Sequence, residues 1–202
     1  SVPSSKFNEP RNVKIQLPRN YEANEDKFYP VILVLDGDYL FEPVAGSADY
    51  YSYWEDMPQA IIVGVMQPDR MEDTVYDDAN FLPTGQGADF FEFLGMELLP
   101  WLNKQYRLAP FNVVVGHDAT AGFANYYLMK NPPLFNAYIS LSPDLAPQMN
   151  ERLTTILKQT EQQIFYYQAT GTEDIPSLRE ETLALHQALS GIENEKFHYY
   201  FD

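Results

Sequence analysis

Val113-Val114-Val115-Gly116-His117-Asp118-Ala119-Thr120-Ala121-Gly122 runs from a β-branched stretch into a small, glycine-bounded turn, and an apolar helical stretch from Phe123 to Met129 follows. Strand, sharp turn and helix in that order form a unit that holds one side chain up at the carboxyl end of a sheet, here a carboxylate at position 118. A hydroxyl at such a point can be deprotonated by a neighbouring imidazole and attack an ester. A carboxylate has no proton to give at neutral pH and forms no ordinary acyl-enzyme.

Outward from this unit, short apolar runs alternate with longer helical patterns. Strands are expected near 13–17, 31–35, 60–65, 111–115, 137–141, 164–169 and 196–201, the last six parallel. Val31-Ile32-Leu33-Val34-Leu35 is apolar throughout instead of alternating, as in strands covered on both faces. Between them, 88–106 carries one apolar stripe through Phe90, Phe91, Leu94, Leu98, Trp101 and Leu102, with Pro100 expected to bend or divide the helix. Segment 177–190 repeats Leu178, Thr182, Leu185 and Leu189 at helical spacing, with Ser177 expected to cap its start and Gly191 its end. The pattern predicts an α/β fold, a mainly parallel sheet with helices on both faces.

The 202 residues suit a single domain spanning 1–202, either whole or without a C-terminal segment. A net charge of −16 disfavours nucleic acid and anionic lipid as partners. No apolar run approaches the length of a membrane span, roughly 20 residues. The chain has no Cys and does not begin with Met, so both export and a cytoplasmic location stay open. Asp69-Arg70-Met71-Glu72-Asp73, continuing to Asp77-Asp78, is read as a solvated acidic loop because it lacks the spaced ligands and turn Gly of a calcium site. No phosphate-binding loop, dinucleotide fingerprint or His/Cys metal cluster is present, and neither cofactor nor metal is expected.

Several further pieces occur in a fixed order: Arg11-Asn12-Val13-Lys14-Ile15-Gln16-Leu17-Pro18, Tyr29-Pro30 leading into Leu35-Asp36-Gly37-Asp38, Ile61-Ile62-Val63-Gly64-Val65, Asp69-Arg70, Glu97-Leu98-Leu99-Pro100, Gly116-His117 and Pro133 to Pro143. In these the chain resembles the esterase D-like esterases, relatives of ferric-enterobactin esterases and mycolyltransferase-like hydrolases. The resemblance implies an α/β-hydrolase-like three-layer sandwich. It also implies that the turn Gly37-Asp38-Tyr39 and the N–H of Ala119 form an oxyanion-hole-like pair of donors. Gly37 reads equally well as a residue that only reverses the chain after a buried strand.

The family pattern at the nucleophile turn is Gly-His-Ser-x-Gly-Gly. Here Asp118, Thr120 and Ala121 replace the serine and both glycines, and a β-branched Thr120 is expected to fit the turn poorly. Glu173 and Asp174 stand at the acid position. His117, His186 and His198 are each read as structural or surface residues. Ser140 and Ser142 are read as the family's Ser-Pro corner, and the aromatics Tyr50, Tyr51, Tyr53, Trp54, Tyr126 and Tyr127 either line a substrate cleft or pack.

Three functions follow. The leading one is an esterase-family protein without serine hydrolase activity whose cleft binds a small molecule or protein. The second is a hydrolase using Asp118 as an aspartate nucleophile, as in haloalkane dehalogenase-like and epoxide hydrolase-like enzymes, with a His beyond residue 202. The third is a structural or interaction module.

Overall fold

A computed structural model describes residues 1–202. Seven strands form one sheet in the order β1-β3-β2-β4-β5-β6-β7. They are β1 (Val13–Gln16), β2 (Tyr29–Val34), β3 (Ile61–Val65), β4 (Leu108–His117), β5 (Ala137–Leu141), β6 (Ile164–Ala169) and β7 (Phe197–Phe201). β1 pairs antiparallel with β3, and every other pairing is parallel. The fold class read from the sequence and its six parallel strands are thus observed. The register of β2 on β4 shifts between Tyr29 and Val31, where Pro30 has no N–H to give the ladder.

Helix α1 (Gly37–Tyr53) lies on one face of the sheet, where Ala45 and Ala48 pack on Ile32, Val34, Ile62, Val113 and Val115. On the opposite face are α2 (Gly85–Glu92), α3 (Leu99–Gln105), α4 (Ala119–Ala124), α5 (Met149–Gln159) and α6 (Pro176–Ser190), which close the main core over Val31, Leu33, Ile61, Val63, Val114, Tyr138 and Tyr166. The alternate positions of β6, Ile164, Tyr166 and Gln168, are buried, as this one-sided cover requires. Phe165 and Tyr167, on α1's side but beyond its reach, are only half-buried.

Two helical details depart from the sequence reading. The stretch 88–106 is divided, as expected, but by a π-helical turn over Phe93–Leu98. Such a turn inserts an extra residue; it buries Phe93 beside Phe90, while Phe91 and Trp101 stay half-buried. Pro100 sits at the start of α3, where its missing N–H costs nothing. Ser177 does not cap α6: the helix starts one residue earlier at Pro176, with Ile175 as its cap residue and no side-chain cap bond. Gly191 closes the helix as expected.

Candidate functional site

The carboxyl ends of β2 and β4 lie side by side, so the residues that follow them meet. Asp118 occupies the single position between β4 and α4, with φ 56° and ψ −120°. L-residues rarely enter that region. Close backbone approach imposes it. A Cβ on Gly116 would lie 2.7 Å from Ala121 N, and one on Gly122 would lie 1.8 Å from Asp144 O. Both positions therefore need glycine. Asp118 N–H donates to Leu141 O (3.0 Å), and Asp118 O accepts from Asp144 N–H (3.0 Å), which ties the turn to the end of β5.

Thr120 corrects the expectation of a misfit. It is fully buried, accepts from His117 N–H (3.0 Å) and donates to Asp36 Oδ2 (2.7 Å). The β-branched residue is tolerated because its hydroxyl finds partners on both sides of the turn. Asp36, 2% exposed and at φ 53°, is the residue that reverses the chain after β2. Gly37 is needed for another reason, since a Cβ there would lie 2.8 Å from the backbone of Gly64 and Val65 in β3.

Arg70 joins the two acids. Its Nε donates to Asp36 Oδ1 (2.8 Å), Nη2 to Asp36 Oδ2 (2.9 Å) and His117 O (3.1 Å), and Nη1 to Asp118 Oδ2 (3.2 Å). The ion pair with Asp36 holds the guanidinium pKa well above its usual value. Tyr39 also meets this carboxylate, Oη to Oδ2 at 3.0 Å, and lies 2.8 Å from His117 Nδ1. A carboxylate only accepts, so the phenol donates to Asp36 and its oxygen accepts a hydrogen bond from His117 Nδ1–H. Burial, then the Asp36 charge, push the Tyr39 hydroxyl up to about 12, because both disfavour the phenolate.

The network runs on inward. Gln67 accepts from Asp36 N–H (2.8 Å) and donates to Asp73 Oδ2 (3.3 Å), and Asp73, with no exposed surface, forms a two-bond ion pair with Arg11. The acidic stretch 69–78 is solvated in part, as expected at Asp69, Glu72 and Asp78, but Asp73 departs from that reading. Asp73 can be buried because Arg11 neutralises it. Arg70 enters the site, and Val75 and Tyr76 face a cavity.

That cavity, about 270 Å³, opens beside Ala119 and is lined by Phe123, Tyr126, Tyr76, Val75, Asp78 and Asp144 among others. Burial, and next the Asp118 charge, raise the Asp144 pKa; burial and then Asp144 raise that of Glu181. Both causes penalise the ionised form. Tyr126 reaches the cavity with its hydroxyl donating to Phe81 O (2.6 Å), whereas Tyr127 is core, bonded to Phe91 O. Tyr50, Tyr51, Tyr53 and Trp54 lie at the far end of α1 and line no part of this cleft.

The remaining sequence candidates separate. Asp38 Oδ2 accepts from Gln67 N–H (2.8 Å), and Tyr39 N–H goes to Asp36 O (3.1 Å), so of the turn Gly37-Asp38-Tyr39 the Tyr39 amide is already used. The N–H groups of Asp38 and Ala119 have no protein acceptor. Asp174 accepts from Ser142 Oγ (2.7 Å), Thr170 Oγ1 (2.9 Å) and Gly171 N–H (2.7 Å), and the Ser142 bond does most to hold its pKa low. Glu173 points to solvent. His186 stacks on Phe201 and bonds Tyr199 Oη (2.9 Å), and His198 stacks on Phe165 beside Gln163. No histidine nitrogen is hydrogen-bonded to the Asp118 carboxylate. Sequence reasoning passed over Asp36, Arg70 and Asp144; Asp36 and the Asp69-Arg70 pair stood in the matched pieces, but nothing in the sequence says that Arg70 bridges two acids.

Residues 4–193 match the family described as "Putative esterase". The chain belongs to that family. Among solved structures, this esterase-family protein is similar to an uncharacterised protein from Capnocytophaga ochracea, with 30% identity and a TM-score of 0.90, over 98% of this chain and 55% of that one. It spans little more than half of that relative's length. An IroE-like serine hydrolase from Shewanella oneidensis is 25% identical with a TM-score of 0.84, over 100% of this chain and 71% of that one. The enterobactin esterase of Shigella flexneri shares the fold at 18% identity and a TM-score of 0.75, over 98% of this chain and 51% of that one. No curated protein matches the sequence.

Proposed function

We propose that this esterase-family protein has lost serine-ester hydrolysis, with Asp118 standing where the family carries its nucleophilic serine, and that it keeps the neighbouring cleft as a binding site for a small molecule or partner protein. The observation that carries the reading is the pairing of Asp118 with Arg70. A serine nucleophile needs an imidazole within hydrogen-bond reach, and an aspartate nucleophile needs one to activate water. Here the carboxylate at the strained turn is paired with a guanidinium already anchored on Asp36, and no imidazole is bonded to it. An arginine neither takes nor gives a proton at working pH.

Around this inert centre the older features have a use in binding. The free N–H groups of Asp38 and Ala119 can hold an oxygen of a ligand. The cavity of about 270 Å³ beside Ala119 can take its apolar part, since ligand clefts combine apolar walls with a few polar groups. Asp174, fastened by three hydrogen bonds, serves to staple the loop after β6 to Ser142.

The reading is tested by exposing the protein to a fluorophosphonate probe and to short-chain p-nitrophenyl esters, beside an Asp118→Ser variant. Neither protein is expected to be labelled or to turn over ester, because restoring the hydroxyl supplies no base. Labelling of a serine in the wild type, or turnover by Asp118→Ser at ~1 per second or faster, overturns it. Activity on an alkyl halide or epoxide that Asp118→Asn abolishes establishes the aspartate nucleophile instead.

A further inference from the structure

Far from the turn, the end of α1 holds aromatic side chains that the core does not use. Tyr50, Tyr51, Tyr53 and Trp54 are between 50% and 62% exposed. They sit one helical turn apart or less, Tyr50 edge-on to Tyr51 and Tyr53 edge-on to Trp54. Helix α1 starts beside Asp118 and runs 17 residues. At the rise of an α-helix this puts the rings on the order of 25 Å from the turn. Four large rings left in water at one helix end form an apolar patch of the kind that marks a binding surface.

The neighbouring surface indicates what kind of ligand. An open groove of about 1030 Å³ runs between the end of α1 and the segment after β1, at the large end of the range for ligand clefts. Its walls are mostly polar, with Arg19, Asn20, Ser52, Glu55, Asp56 and Gln59 beside the apolar Tyr53, Met57 and Pro58. Arg19 is fixed by a two-bond ion pair with Asp49 and holds its guanidinium 4.8 Å from the Tyr53 ring centre. The cation over its face braces that ring. Gln59 Nε2 donates to Arg19 O (3.3 Å), while the Asn20 side-chain amide, the Asp56 carboxylate and Gln59 Oε1 have no protein partner.

We infer that the end of α1 and its groove form a carbohydrate-binding site, distinct from the cleft at Asp118. A pyranose ring has an apolar C–H face, which stacks on an exposed aromatic ring, and a rim of hydroxyls, which pair with planar amides and carboxylates. Rings beside free amide and carboxylate groups match that duality. A neutral glycan also meets no repulsion from a chain of charge −16, whereas nucleic acid and acidic lipids do.

The test is affinity electrophoresis of the 202-residue chain in native gels containing soluble xylan, mannan, mixed-linkage β-glucan or pullulan, with tryptophan fluorescence read alongside. At least one polysaccharide is expected to retard the protein and shift its fluorescence. Trp54→Ala and Tyr53→Ala are each expected to weaken retardation tenfold or more, while Tyr200→Ala, an exposed aromatic on β7, leaves it unchanged. Circular dichroism checks the fold, and Tyr50→Ala replaces any variant that loses it. No retardation by any of the four, retardation indifferent to Trp54 and Tyr53, or a wild-type dimer in sedimentation that Trp54→Ala dissociates overturns the inference.

Discussion

At the scale of single residues, the site is organised by Asp36. Its buried carboxylate collects Arg70, Thr120 and Tyr39, three partners from three different segments. Removing one partner strands a charge that has little water to fall back on. Arg70→Ala is therefore expected to cost about 2 to 4 kcal/mol in urea denaturation, less than a fully buried pair because Thr120 and Tyr39 still donate to Asp36. Thr120→Val keeps shape and loses only the hydroxyl, and about 1 to 3 kcal/mol is expected. A Thr120→Val variant as stable as wild type would show that the hydroxyl is not needed to hold the turn. Asp118 has a side chain that is one-third exposed, so its ion pair contributes little to stability.

At the scale of elements, closeness of backbone to backbone separates the glycines. Gly122 lies where α4 meets the segment after β5, and a Cβ at 1.8 Å from Asp144 O forces the two apart. Gly122→Ala is expected to destabilise by about 2 kcal/mol or more, as overpacking does where backbone must move. It is also expected to disturb the cavity beside Ala119. Gly46, exposed in the middle of α1 with nothing within 4 Å of where a Cβ would lie, is the opposite case. Gly46→Ala is expected to stabilise by about 0.5 to 1 kcal/mol, since alanine has less unfolded-state freedom to lose. Thermal melts of the two variants check both signs.

At the scale of the whole molecule, charge sets the response to pH and salt. Asp144 and Glu181 have raised pKa values because of burial first and neighbouring acids second. The folded chain therefore takes up their protons more readily than the unfolded one. Acidification from pH 7 adds stability as pH falls through their folded values, and relief of the self-repulsion of a −16 chain acts in the same direction. Asp174, Glu42 and Asp49 have lowered values, chiefly from side-chain hydrogen bonds to Ser142, Lys14 and Arg19. Their contribution is present above the unfolded carboxylate pKa and lost as pH falls through the folded one. The melting temperature is expected to peak at about pH 5 and fall below about pH 4. Added salt at pH 7 is expected to raise it by screening self-repulsion. A melting temperature that falls steadily from pH 7 to 5 would contradict this account.

The sequence alone determined the sheet, its parallel strands, the helix after Asp118 and the placement of Asp118 at the turn. Each of these is set by local pattern: apolar runs such as 31–35 can bury both faces only inside a sheet, and a small glycine-bounded turn can join strand to helix only sharply. Gly191 was legible at the end of α6 for the same reason, while Ser177 was not its cap because Pro176 already favours the first helical position. Tertiary structure alone decided that Arg70 bridges Asp36 and Asp118, that Thr120 is a partner instead of a misfit, that Asp73 is buried against Arg11, and that the aromatics at the end of α1 face solvent. Those outcomes depend on which segments meet across gaps of 34 to 84 residues, and a side chain's charge or branching carries no record of the partner that will neutralise or bond it.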